Sequence, residues 1–227
     1  MFKYLFVLMF SFISAGILEA QEEEKGFAIV LDGLSSCGKS STSRELRHMF
    51  DKEDTPVMIF STDMLMQDFS KKYQNIDSGD KVSDPVKEGI KFYVDENGVF
   101  QIQVGEVIQK LFAAVPEMIL ALLDEGNNVI VDGALVNPVT MEKFRKYQKD
   151  YDITTVKVWC GEARSTKREN ERDGFIGLAA ALRSDKRFFQ GTYDYTLYTD
   201  GKSKKVRAKE VMDFFKIRVP LLTEKQQ

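Results

Sequence analysis

The chain has 227 residues, 43% of them apolar, and a formal net charge of -3. That suits one domain with a core of ordinary size. A balance so near neutral, with no basic stripe interleaved with aromatics, gives no reason to expect nucleic acid as partner. Two cysteines are too few for a disulfide framework, and no internal repeat or low-complexity stretch stands out.

The first residues differ from the rest. Met1-Phe2-Lys3 gives a basic start, Tyr4 to Ile17 is almost wholly apolar, and Ala20-Gln21 offers a cleavage point before Glu22-Glu23-Glu24. The run is about 14 residues, in the range of a signal peptide and short of the ~20 that span a bilayer. The expectation is a signal peptide over residues 1–20, export, and no stable membrane span once the leader is removed. A start at Met9 would shorten the run and leave the protein in the cytoplasm.

Phe27 to Asp32 reads as a buried strand. It runs into Gly33-Leu34-Ser35-Ser36-Cys37-Gly38-Lys39-Ser40, which fits the phosphate-binding pattern G-x-x-x-x-G-K-[ST] and continues into Ser41 and a helix with Leu46, Met49 and Phe50 at helical spacing. Gly33 lets the chain leave the strand sharply, and Gly38 lets backbone N–H groups close on phosphate oxygens. Lys39 supplies a cation for the β- and γ-phosphates, and the Ser40 hydroxyl is a ligand for Mg²⁺. The helix N-terminus adds partial positive charge. Gly33 to Ser41 are therefore the candidate nucleotide-binding residues. Cys37, inside the loop, and Cys160, at the end of a later strand, read as two small free thiols. A bridge is conceivable only if both lie at the carboxyl ends of neighbouring strands in an oxidising compartment.

Thr55 to Phe60 reads as a second strand, ending in Ser61-Thr62-Asp63. Ligands of open α/β sheets bind at the carboxyl ends of strands, so Asp63 is a candidate to accept a hydroxyl proton. A helix N-cap before Met64 to Phe69 is the equal alternative. Residues 67–103 read as an insertion on the substrate side, with Glu96-Asn97-Gly98 as a turn. Val104 to Glu125 predicts one or two helices, Pro116 starting a turn or the second of them. Val129 to Gly133 is a short apolar strand that carries Asp132, a candidate metal carboxylate.

Val139 to Tyr151 predicts a helix and Ile153 to Trp159 a further strand. The alternation implies an α/β fold, a parallel sheet with helices on both faces. Next comes a charged helix in which Arg164, Arg168 and Arg172 recur every four residues and share one face. As a mobile lid it would bring arginines to phosphate charge; otherwise it is a solvated helix laced by Glu162, Glu169 and Glu171. Gly174 and Gly177 break it, and Ala179 to Phe189 resumes a helix. A last strand, Tyr193 to Thr199, and a final helix, Lys209 to Ile217, complete the pattern. His48, the single histidine, reads as structural, and a His/Cys zinc site is not supported.

The loop GLSSCGKSS, the strand ending in STD, the segment LLDEGNNVIVDGALV, the strand VKVWC, the helix RENER and the stretch YDYTLYTDGKS together resemble the chloramphenicol phosphotransferase-like kinases. The likeness runs from Phe27 to Arg218. It implies a P-loop NTPase three-layer sandwich. Its sheet is mostly parallel and five-stranded, with helices on both faces and a helical lid around residues 163–190, all one domain over residues 21–227. It implies transfer of the γ-phosphoryl group of ATP, with Mg²⁺, to a hydroxyl of a small molecule. Asp63 matches the family's catalytic base, Asp132 an active-site carboxylate, and Arg168 and Arg172 the first arginines of its lid signature. The sequence departs where the family continues R-G-D-R, for here Arg172-Asp173-Gly174-Phe175 follows. Other phosphate-loop kinases, acting on a sugar acid, adenylyl sulfate or a nucleoside, and an exported non-catalytic nucleotide-binding protein are the alternatives.

Overall fold

A computed structural model describes residues 24–75, 88–96, 98, 100–135, 137–171, 177–185, 189 and 191–223. The leader, Arg172 and Gly174 lie outside them. Five strands form the main sheet: β1 (Ala28–Gly33), β2 (Val57–Ser61), β6 (Asn128–Gly133), β7 (Ile153–Trp159) and β8 (Tyr195–Tyr198). Their order is β2-β6-β1-β7-β8 and every pairing is parallel. β1 is central and buried along its whole length.

Alternation along β1 assigns the two faces. Ile29 and Leu31 point to one core with Leu46 and Phe50 of α1 (Lys39–Asp51) and with Val211, Met212 and Phe215 of the C-terminal helix, α8 (Lys204–Thr223). Ala28 and Val30 point to the other, with Ile119 and Leu123 of α4 (Val115–Asp124) and Phe144 of α5 (Pro138–Tyr147). A strand covered on both faces favours apolar residues at successive positions, which is why Ala28 to Leu31 of β1 and Val129 to Val131 of β6 are continuous rather than alternating runs. Three layers result.

The helical stretch after residue 104 divides into α3 (Glu106–Ala113) and α4, with Pro116 in the first turn of α4, where a missing N–H is harmless. Asn137 starts α5: its side chain accepts from the Val139 N–H at 2.9 Å and donates to the Gln109 carbonyl at 2.9 Å. The final helix begins at Lys204, a full turn before the predicted Lys209. Among residues 67–103 the structure shows a second, small sheet. β3 (Gln74–Asn75) pairs parallel with β4 (Ile90–Val94), which forms an antiparallel hairpin with β5 (Phe100–Val104). The hairpin turns at Gly98, whose N–H donates to the Asp95 carbonyl. Its core side chains Ile102 and Val104 share a cluster with Leu182 of α7 (Leu178–Ser184).

One expectation is corrected. Cys37 and Cys160 are not free thiols but form a disulfide. β1 and β7 are neighbours in register, Gly33 opposite Val158, so the residues beyond their carboxyl ends meet with Cα atoms 5.4 Å apart, inside the range a bridge requires. The bond closes a long loop, with a sequence separation of 123 residues. Replacing both cysteines with alanine, or unfolding under reductant, is expected to lower stability by about 3–5 kcal/mol on the chain-entropy model. Denaturant melts of oxidised, reduced and variant protein check this, and coincident midpoints would refute it.

Candidate active site

The site assembles at the carboxyl ends of β1, β2 and β6. β1 delivers the loop. At Gly33 (φ +154°) a Cβ would sit 2.0 Å from the Val158 carbonyl oxygen, and at Gly38 (φ +96°) one would sit 1.9 Å from Arg207 Nη1. Neither position admits a side chain. Lys39 is buried, and its Nζ donates to the carbonyls of Gly33 and Leu34 at 2.8 Å each. The ammonium is thereby held across the loop. Leu34 and Cys37 are fully buried, Ser35 and Ser41 are partly buried, and Ser40 stands exposed on the first turn of α1.

Parallel register sets the carboxylates. Ser61 lies opposite Asp132 across β2 and β6, so Asp63, two residues further, projects beyond the strand ends beside it. Asp63 is not an N-cap. Ser61 holds that place with no side-chain cap bond, and Asp63 lies inside the first turn of α2 (Thr62–Gln67). Asp63 is open to solvent in the cleft. Desolvation by the cleft walls raises its pKa above the ordinary aspartate value, the Lys39 charge opposes this, and the Asp132 charge adds to it. The three groups are thus electrostatically coupled. Asp132 is buried. Its Oδ2 accepts from Ser43 Oγ at 3.2 Å, while its Oδ1 has no hydrogen-bond partner among the described residues.

Beneath the loop lies Asp32, which the sequence reading passed over. Its Oδ1 accepts from the Leu135 N–H at 2.9 Å and its Oδ2 from the Tyr193 hydroxyl at 2.6 Å. Burial pushes its pKa up, and these two donors, together with Lys39, pull against that. Burial and the facing Asp32 drive the Tyr193 phenol upward as well. Asp32 so ties the exit of β1 to the exit of β6 and the approach to β8. A charged residue closing a wholly apolar strand was the available signal.

Two residues of the charged helix after β7 take defined places. Arg168, on α6 (Glu162–Asn170), donates from Nη1 to the Ser36 carbonyl at 3.0 Å, so it reaches the loop. Glu169 is not a solvated lacing charge: it is buried, and its carboxylate accepts from the N–H groups of Gly177 at 3.1 Å and Ala179 at 2.6 Å, capping α7. Arg164 pairs loosely with Asp200, at 3.8 Å. Arg207 of α8, also missed, donates from Nη2 to Ser41 Oγ at 3.0 Å. Its signal was alignment with Val211 and Met212 on the buried stripe, hidden by starting the helix at Lys209.

A glycine-rich loop crossed by a lysine, carboxylates at adjacent strand ends and an arginine reaching the loop from α6 are the parts of a P-loop kinase, a phosphotransferase with an alcohol group as acceptor. The chain belongs to the chloramphenicol phosphotransferase-like family, whose model matches residues 26–216. Its fold is shared with the APS kinase of Mycobacterium tuberculosis solved with AMPPNP and APS (TM-score 0.57, 18% identity, 85% of this chain and 98% of that one). It is shared too with a gluconokinase from Sinorhizobium meliloti (0.57, 15%, 90% and 99%) and with shikimate kinase from Acinetobacter baumannii (0.53, 14%, 86% and 96%). No curated protein matches the chain in sequence.

The electrostatic coupling has a sign that can be measured. Asp63 is expected to titrate above about 3.9, the unperturbed aspartate value. Asp132→Asn should lower its pKa, because a like charge is lost, and Lys39→Met should raise it, because a cation is lost. Carboxyl-carbon NMR titration of the three proteins reads both shifts, and unmoved titrations would show that the groups do not face one another.

Proposed function

We propose that this P-loop kinase uses ATP and moves its γ-phosphoryl group to a hydroxyl of a small molecule, with Asp63 as base. The observation that carries this is the placing of Asp63 and Asp132 at adjacent strand ends next to the strand that delivers the phosphate loop and Lys39. Lys39 and the lid arginines Arg168 and Arg172 supply cations to the migrating phosphoryl group, whose catalysis is mainly positioning and charge stabilisation. Asp63 accepts the proton of the attacking hydroxyl. Its raised pKa makes it a better proton acceptor, while Lys39 keeps it from rising further.

Mg²⁺ prefers oxygen ligands and keeps waters and phosphates in its shell. The exposed Ser40 hydroxyl and the buried, unpartnered Asp132 Oδ1 suit it. These two residues would hold the ion, which when bound supplies charge neutralisation between the phosphates. The acceptor is proposed to lie on the Asp63 side, under the β4–β5 hairpin, since the opposite flank of the loop is lined by Arg168 and Arg207.

The proposal includes export. A leader-like pattern occupies residues 1–20, and a disulfide between buried cysteines fits an oxidising compartment. N-terminal sequencing of protein recovered outside the cytoplasm is expected to begin at Gln21; an intact Met1 would count against cleavage.

The activity is tested with labelled ATP and a panel of hydroxylated acceptors, including chloramphenicol, a sugar acid and adenylyl sulfate. Phosphorylated product is expected with at least one. Lys39→Ala and Asp63→Asn should each cut its rate by about 10² or more. The wild-type rate should fall on acidification as Asp63 gains its proton, at a pH above the ordinary aspartate range. Undiminished turnover by Asp63→Asn removes the base assignment. Nucleotide binding with no product from any acceptor favours a non-catalytic role.

A further inference from the structure

Arg207 is a buried charge with no ionic partner among the described residues. It sits in the first turn of α8 and is only 4% exposed. Its guanidinium donates to neutral groups alone: Ser203 carbonyl at 3.3 Å, Gly38 carbonyl at 3.5 Å and Ser41 Oγ at 3.0 Å. No carboxylate pairs with it among the described residues. Burial lowers its pKa, and the charges that act on it are of its own sign, Arg168 and then Arg164. A buried cation among cations is costly unless an anion is part of its working surroundings.

Its position says which anion. Two of its contacts are with the phosphate loop and the first turn of the helix that follows, where N–H groups converge on phosphate. It lies beside Arg168, both guanidinium groups reaching the loop at Gly38, so it belongs to the loop flank lined by Arg168. Gly38 gives it room, since a Cβ there would collide with Nη1.

We infer that Arg207 is a phosphate-binding residue for the nucleotide, contributed by the C-terminal helix: it grips the phosphate nearest Ser41, and that phosphate supplies the counter-charge that the folded chain withholds. The inference rests on the kinase reading above. It makes α8 part of the nucleotide site and not only a core helix. The planar fork suits two oxygens of one phosphate, a geometry that lysine does not reproduce.

The experiment compares wild type, Arg207→Met, Arg207→Lys and Lys39→Ala by calorimetry with Mg·ATP and Mg·ADP, and by thermal melts with and without each nucleotide. Arg207→Met is expected to melt higher than wild type without nucleotide, because an unpaired buried charge is gone. It should bind both nucleotides about ten- to a hundredfold more weakly, with a smaller nucleotide-induced rise in melting temperature. Arg207→Lys should recover only part of the affinity. A purely structural role predicts a lower melt with affinity unchanged, and that outcome overturns the inference, as does wild-type affinity in Arg207→Met. If Arg207→Met does not fold, Arg207→Lys decides alone: binding equal to wild type refutes the fork. Wild type that binds no nucleotide overturns the kinase reading itself, whereas binding lost in Lys39→Ala but kept in Arg207→Met sinks only this inference.

Discussion

Everything in the site hangs from the carboxyl end of β1. That strand is paired on both edges and covered on both faces, so it has no freedom to shift. Its last residues fix three things at once. Gly33 starts the loop against β7, Asp32 holds Leu135 and Tyr193, and the register with β6 sets the height of Asp132. A loop that must present N–H groups to phosphate gains nothing from being mobile at its base, since misplacement by a fraction of an ångström weakens every contact. The rigidity of β1 and the Cys37–Cys160 bridge both act on that base, from opposite ends of the loop.

Charge is divided across the cleft. Cations gather along one flank of the loop, from α6, α8 and Lys39, and carboxylates gather beyond β2 and β6. Lys39 acts across the divide, on Asp63 and on Asp32. Such a separation is what phosphoryl transfer from an anionic donor to a neutral hydroxyl requires: positive charge for the donor and a proton acceptor for the nucleophile. The small sheet of β3, β4 and β5 and the helix α7 share one apolar cluster with the main core. The small sheet and α7 therefore pack as neighbours, and a change in one is felt by the other.

Glu169 illustrates how far a local reading reaches. In sequence it is one of several acids on a charged helix. In the fold it is buried and completes the N-terminus of α7, accepting from the orphan N–H groups of Gly177 and Ala179. Arg207 and Asp32 were missed for a similar reason. Their partners, Ser41 and Tyr193, lie 166 and 161 residues away, and no spacing pattern encodes such a pair.

The sequence by itself determined the α/β alternation, the phosphate loop and its helix, the family, and the strand-end carboxylates Asp63 and Asp132. These are local signals: apolar runs long enough for a buried strand, glycines where a side chain cannot fit, and charge placed where a strand stops. Tertiary structure alone decided the strand order, the pairing of Cys37 with Cys160, the contact of Asp32 with Tyr193 and the convergence of Arg168 and Arg207 on the loop. Each of these depends on the distance between segments far apart in the chain. Only the packed parallel sheet, with its fixed register and its two covering layers, sets that distance.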